Sequence, residues 1–261
     1  MKLFEDRQFG LIWFPSMRGV AYLDVMRESK ILPSVIMVLK NEFSFIDGLA
    51  EEDKQNGYSE QYFNLKYTIE CFANEFDIPI IISSANNIND DSVIKLLNQQ
   101  TIVNWLFTGG GILKEKLFEN GRKYLHIHPG KLPYYRGSTC FYYSLLNDAS
   151  LAASAFFLTP ALDNGATLVS CDFKVNIKID TNHRYFMDYI LDPWIRAQTL
   201  KKVLTSNFVD ALPNEASITR HNTGEVDRTY YVMHPLLRAL TINKVNQAFN
   251  IDKPTGIFLI E

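Results

Sequence analysis

Cysteine is scarce: the 261 residues hold Cys71, Cys140 and Cys171, an odd number with no CxxC spacing. That excludes a disulfide framework and a cysteine zinc cluster, and it suits a reducing compartment. No apolar run approaches the roughly 18 residues a membrane helix needs. The opening MKLFEDRQFG is charged where a signal sequence would be apolar, so the expectation is a cytoplasmic chain with no membrane insertion. Neither sign of charge dominates, since 26 Lys and Arg stand against 29 Asp and Glu for a net of -3. Without a basic surplus, nucleic acid has no electrostatic footing, and a tRNA or DNA substrate is disfavoured. Internal repeats and low-complexity tracts are also missing.

What is present is a chain that is 47% hydrophobic and 13% aromatic, enough for a full core. Short β-rich runs alternate with helical patterns. GLIWF, PSVIMVL, IPIIIS and IVNWLFT read as buried strands. MRGVAYLDVMRES and NDDSVIKLLNQ read as helices, the second opening on Asn89, Asp90 and Asp91, which suit a helix start. GGGILKEKLF repeats the glycine-turn and helix unit, whereas 41–59 reads as an exposed connection before a helix that ends near Phe76. This alternation predicts an α/β, Rossmann-like, mainly parallel sheet with helices on both faces. LAASAFFLT and ATLVSCDFKV are joined too closely for a crossover and predict an antiparallel hairpin. A helix follows over about 182–206, started, kinked or split by Pro193. These elements make one α/β domain over 1–206, the part that would carry any catalytic site. Residues 207–261 form a small C-terminal extension, a hairpin plus a helix, whose apolar faces would suit a homodimer.

The chemistry gathers in YLHIHPGKLPYYRG, Tyr124 to Gly137. Period-two alternation aims His126 and His128 at one face of a strand, and Pro129, which has no N–H, ends the ladder beside them. Functional groups of open α/β sheets gather at such carboxyl ends. A single sheet histidine is as often a satisfied core residue as a functional one; two on one face favour a site. With Asp163 as a third ligand they would make the metal alternative, but HIH alone does not close a zinc site. Lys131 reads as a solvated loop charge, His183 and His221 as surface residues, and His234 before Pro235 as a capping or packing residue.

LHIHPGKLPYYRG, followed by LTPALDNGATL, resembles the folate-dependent formyltransferase family. The match runs through His128, Pro129, Leu132, Pro133, Arg136, Gly137, Asp163 and Gly165. FPSMRG and FTGGGILKEKLF resemble the same family's earlier loops, so the likeness covers about 10–175. It implies a formyl donor, 10-formyltetrahydrofolate, and transfer to an amine. His128 would be the central acid/base or oxyanion-stabilising group, oriented by Asp163. His126 stands where the family has asparagine, and its N–H would donate to the oxyanion in the amide's place. Ile112, Leu113, Leu158 and Leu162 would line the folate pocket. Arg136 and Tyr135 would meet the acceptor, with Tyr134, Tyr142 and Tyr143 as further stacking candidates.

The resemblance favours a small-molecule acceptor, an amino sugar either nucleotide-linked or acidic, in surface-glycan (lipopolysaccharide) biosynthesis. The tRNA branch carries a basic C-terminal domain and the hydrolase branch an N-terminal one, and neither is expected here. Glycinamide ribonucleotide is the alternative amine, and a non-catalytic folate- or nucleotide-binding relative is the alternative class.

Overall fold

The computed structural model describes residues 5–40, 47–163, 165, 167–180, 185–206 and 228–260. Five parallel strands carry the site: β1 (Gly10–Trp13), β2 (Val35–Val38), β3 (Ile80–Ile82), β4 (Asn104–Phe107) and β5 (Lys123–His128). After the short β6 (Arg136–Gly137), β7 (Ser150–Phe157) pairs antiparallel with β5 and β8 (Thr167–Asn176) pairs antiparallel with β7. The eight-stranded order is β10, β8, β7, β5, β4, β1, β2, β3, where β10 is Gly256–Ile260. The chain therefore steps outward from β1 to β3, then returns to the other side of β1 with β4. Loops after β1 and β4 diverge at that reversal and leave a crevice at the carboxyl ends of the strands.

Sequence periodicity explains how the sheet is covered. Leu11, Leu106, Leu125 and Ile127 pack on one face with Val20 and Leu23 of α1 (Met17–Ser29) and with Ile195 and Leu200 of α7 (Asp192–Thr205). Their neighbours Ile12, Trp105, Phe107 and Tyr124 turn to the other face, against Val93 and Leu97 of α5 (Asp91–Asn98). Burial on both faces is what makes these parallel strands continuous apolar runs. Ser16 caps α1 by accepting from the Gly19 amide at 3.3 Å, which fixes the turn out of β1.

The structure departs from the sequence reading in two places and bears out the expected break at Pro193. Within 41–59, the described residues are helical: α2 (Asp47–Asn56) and α3 (Tyr58–Gln61), joined where Asp53 accepts from the Ser59 amide and hydroxyl, both at 2.7 Å. GGGILKEKLF does not continue as an α-helix; Glu115–Gly121 is 3₁₀, broken at Glu119 and Asn120, the latter in the left-handed region. Before α7 comes a π-helical turn, Phe186–Leu191, and Pro193 starts the regular helix where no N–H is needed. The helix expected to end near Phe76 is α4 (Ile69–Glu75), and TCFYYSLLND forms α6 (Cys140–Asp148).

Residues 228–260 of the C-terminal segment are woven into the rest. Its β9 (Thr229–Tyr230) pairs with β6, α8 (Pro235–Ala248) packs on α6, and β10 is the edge strand of the main sheet beside β8. Of the hairpin-like piece expected from Phe208 onward, residues 208–227 lie outside the described residues, as do His183 and His221, and its later part includes β9.

Candidate active site

β5 ends where the crevice opens. His126 and His128 both sit on the Tyr124 side of the sheet, edge-to-face against Phe156 of β7 with ring centroids 6.0 and 6.4 Å away. Opposite His128 in the ladder, Ser154 ties down the following loop. Its hydroxyl donates to the Gly130 carbonyl at 2.8 Å and accepts from the Leu132 amide at 3.0 Å.

His128 is almost wholly buried, and its tautomer follows from its partners. Nε2 lies 2.7 Å from the Tyr135 carbonyl, which can only accept, so Nε2 carries the proton in the neutral ring. Nδ1 is then a lone pair, 3.7 Å from Asp163 Oδ2. Asp163 is fixed in turn: Oδ2 accepts from the Gly137 amide at 2.8 Å, and its backbone is left-handed at φ 45°. Burial pulls the His128 pKa below the ordinary 6.5, against the Asp163 carboxylate, which favours the imidazolium. His128 is therefore a neutral base at neutral pH with a counter-charge waiting where its second proton would arrive.

The two motif glycines have steric reasons. Gly137 has φ 101°, and a Cβ there would strike the Tyr230 carbonyl; at Gly165 it would strike the Phe157 carbonyl. Each allows a backbone approach that holds Asp163 against the end of β5.

His126 differs from the expectation. Its Nδ1 lies 3.3 Å from the Phe107 carbonyl, so the N–H of the neutral ring is already donated and Nε2 is a lone pair. Burial, then Arg18, Arg196 and His128, push its pKa well below 6.5. The ring is neutral and offers an acceptor where an oxyanion donor was expected.

No family model matches the chain. Over 108 residues it is 32% identical to methionyl-tRNA formyltransferase of Finegoldia magna, a match taking in 40% of this chain and 34% of that one. The match thus spans about a third of that curated relative's length. Phosphoribosylglycinamide formyltransferase from Anaplasma phagocytophilum superposes with a TM-score of 0.51 at 15% identity, covering 77% of this chain and 86% of that one. The chain has the formyltransferase fold. Formyltetrahydrofolate deformylase from Pseudomonas syringae pv. tomato, at a TM-score of 0.50 and 14% identity, covers 77% of this chain and 62% of its own length.

Within this formyltransferase fold, His126, His128, Asp163, Leu158 and Leu162 line one cleft of about 460 Å³. Ile112 and Leu113 line a neighbouring hollow of about 760 Å³ with Pro160; Leu113 belongs to the second core cluster, and Ile112 is 54% exposed. Tyr135 is turned away from the cleft. Its hydroxyl donates to Asp148 at 2.6 Å and its ring stacks on Tyr230, so its carbonyl is what serves the site. Arg136 lies in β6 beside the lining residue Gly137. Lys131 pairs with Asp172 at 2.7 Å, and His234 caps α8 by accepting from the Leu236 amide.

Sequence reasoning missed Arg18 and Arg196, and although RTYYV reads as strand-like it gave no sign that Thr229 and Tyr230 line the cleft with them. Arg196 is held by Asp192 at 2.9 Å and by the Ile127 carbonyl at 2.9 Å, bridging α7 to the end of β5. Arg18 was visible inside FPSMRG, but only the fold shows where it points. Burial pushes the Cys140 thiol up to about 12, which leaves it protonated and unsuited as a nucleophile. Among the described residues no three His, Cys, Asp or Glu side chains cluster as a metal site, and no helix is long and apolar enough to cross a membrane.

Proposed function

We infer that the chain transfers a formyl group from 10-formyltetrahydrofolate to the primary amine of a small acceptor, an amino sugar. The observation that carries this reading is the neutral, buried His128, with its Nδ1 lone pair opposite Asp163 at 3.7 Å inside the cleft. An amine attacking a formyl carbon must shed a proton, and the folate nitrogen that leaves must gain one. The amine lone pair forms the new C–N bond as the carbonyl π pair moves to oxygen. The proton released by the amine passes to His128 Nδ1, where Asp163 stabilises the imidazolium. The tetrahedral adduct then collapses, the bond to folate N10 breaks, and N10 takes the proton. His128 returns to its neutral form.

The two hollows, of about 760 and 460 Å³, suit a donor with a flat head and a long arm. The head would lie by Leu158 and Leu162 and the arm would run over Ile112, with Lys114 and Lys116 positioned for its carboxylates. A third hollow of about 700 Å³ lies at the carboxyl ends of β1 and β2, walled by Trp13, Val38 and Tyr67 with Lys40 and Lys66 beside them. Flat apolar walls with cations suit the non-reacting, anionic part of a nucleotide-linked or acidic sugar. The net charge of -3 gives no corresponding feature for a polynucleotide.

The test is incubation with formyl-labelled folate and a panel of nucleotide-linked and acidic amino sugars, with mass detection of the product. Label on one amine supports the reading. Label released only as formate assigns water as the acceptor instead.

A further inference from the structure

The tautomers of the two histidines leave the site short of something that formyl transfer needs. Both imidazole N–H groups are donated to main-chain carbonyls, His126 to Phe107 and His128 to Tyr135. Each ring therefore has only a lone pair left for a ligand. A developing oxyanion requires positioned donors, and a lone pair repels it.

Arg18 supplies what is missing. It stands in the first turn of α1 and lines the same cleft as both histidines. Its Nε is sealed from solvent with no hydrogen-bond partner among the described residues, and the Tyr22 hydroxyl one turn along is unsatisfied as well. Arg196, by contrast, has Nε on Asp192 and Nη1 on the Ile127 carbonyl. Burial, and then Arg196, lower the Arg18 pKa to about 10, so its charge is costly to hold there. A buried donor without a partner is destabilising, so a guanidinium kept beside this cleft calls for a reason other than stability.

We propose that Arg18 is the oxyanion donor of this cleft, meeting the formyl oxygen through the part of its guanidinium that lines the cleft, while His126 Nε2 accepts an N–H of the attacking amine. The inference rests on the formyl-transfer reading and extends it to an inverted division of labour. The residue in the asparagine position receives a hydrogen bond from the nucleophile, and a cation from α1 carries the negative charge. As the amine nitrogen bonds to the formyl carbon, the π pair moves onto the oxygen facing Arg18. On collapse that pair reforms the carbonyl and the C–N10 bond breaks, so the guanidinium neither gains nor loses a proton.

Arg18→Met should lower kcat for formyl transfer by roughly 10²- to 10³-fold, the usual cost of an oxyanion donor. KM for the donor should barely change and Tm should rise, because the unpartnered buried cation is gone. A purely structural arginine would show the reverse, unchanged kcat with a lower Tm, and that result overturns the proposal. Arg18→Lys keeps a charge without the planar fork and should recover only part of the rate.

A measurement independent of any acceptor uses a folate analogue bearing a ¹³C-labelled aldehyde at the formyl position. Wild type should enrich its hydrate, which resembles the tetrahedral adduct. Arg18→Met should bind the analogue without that enrichment, and His126→Gln should retain it. Enrichment that survives Arg18→Met but vanishes in His126→Gln refutes the assignment alone. Failure of wild type to bind either the analogue or tetrahydrofolate refutes the formyl-transfer reading and this assignment together. In ¹⁵N spectra of the free protein, His126 should be protonated on Nδ1, and a protonated Nε2 would also overturn the proposal.

Discussion

Replacing Asp163 by asparagine isolates one electrostatic interaction. The carboxylate Oδ2 lies 3.7 Å from His128 Nδ1, and the two side chains are 10% and 3% exposed, so solvent screening is weak. At an effective dielectric near 20, two unit charges at this separation interact by about 4 kcal/mol. That stabilisation exists only while His128 is protonated, because the neutral ring presents a lone pair to the carboxylate. The Asp163→Asn side chain would keep the shape and an oxygen for the Gly137 amide, yet lose the counter-charge. At 1.36 kcal/mol per decade, the loss corresponds to roughly three decades in the proton affinity of His128. The expected kcat loss lies within the roughly 10²- to 10⁴-fold range of general acid–base catalysis. Two assays read the change: formyl transfer followed by folate absorbance, and titration of the His128 ring by NMR. The His128 pKa should fall in Asp163→Asn while the circular dichroism spectrum stays unchanged. A pKa that holds or rises, with near-normal turnover, would refute the assignment of Asp163 as counter-ion.

The pH dependence of stability reads the burial of both rings. His126 and His128 have pKa values below 6.5 in the folded chain, so the unfolded chain binds more protons once the pH drops under about 6.5. Stability should therefore be flat above that point and decline as pH falls through the interval beneath it. Denaturant titrations of wild type and His126→Gln should show a shallower decline in the variant, and identical slopes would contradict neutral burial of His126. Phe156→Ala removes a fully buried ring that packs on both histidines; it should cost about 3–5 kcal/mol in chemical denaturation and lower turnover further than the residual fold loss explains. Gly137→Ala forces a Cβ into the Tyr230 carbonyl at positive φ and should cost at least about 1–3 kcal/mol, visible as a lower Tm, with Asp163 released from the Gly137 amide. His126→Asn should keep substantial activity, since an amide can accept the amine N–H as the imidazole does; complete loss in a folded variant would reject that role.

How much of this was legible in the sequence depends on whether the signal is local. MRGVAYLDVMRES coincides with α1, YLHIH with β5, and the short Asp163–Gly165 link does join two antiparallel strands. In each case the periodicity and the ends lie within a few residues. The 3₁₀ turn at Glu115–Gly121 reads as a helix in sequence because Leu113 and Leu117 have helical spacing, while Glu119 and Asn120 leave helical φ/ψ. The acidic 41–59 stretch looks solvent-bound, yet Leu49 and Tyr58 are buried. Partners distant in sequence are invisible: β10 joins β8, and Thr229–Tyr230 closes on Arg136–Gly137. The site shows the same division. His128 and Asp163 are singled out by the motif of the resemblance, and the fold brings them within 3.7 Å, whereas the hydrogen bonding and charge surroundings of His126 depend on the Phe107 carbonyl and on Arg18, which only the folded sheet brings near.

The central claim is that an amine takes the formyl group under His128 control. It is tested most directly by the initial rate of 10-formyltetrahydrofolate consumption with and without an amino-sugar acceptor, for wild type and His128→Ala. The account predicts acceptor-dependent consumption that nearly vanishes in a folded His128→Ala variant still able to bind tetrahydrofolate. Consumption indifferent to every amine, or a His128→Ala rate equal to wild type, would contradict it.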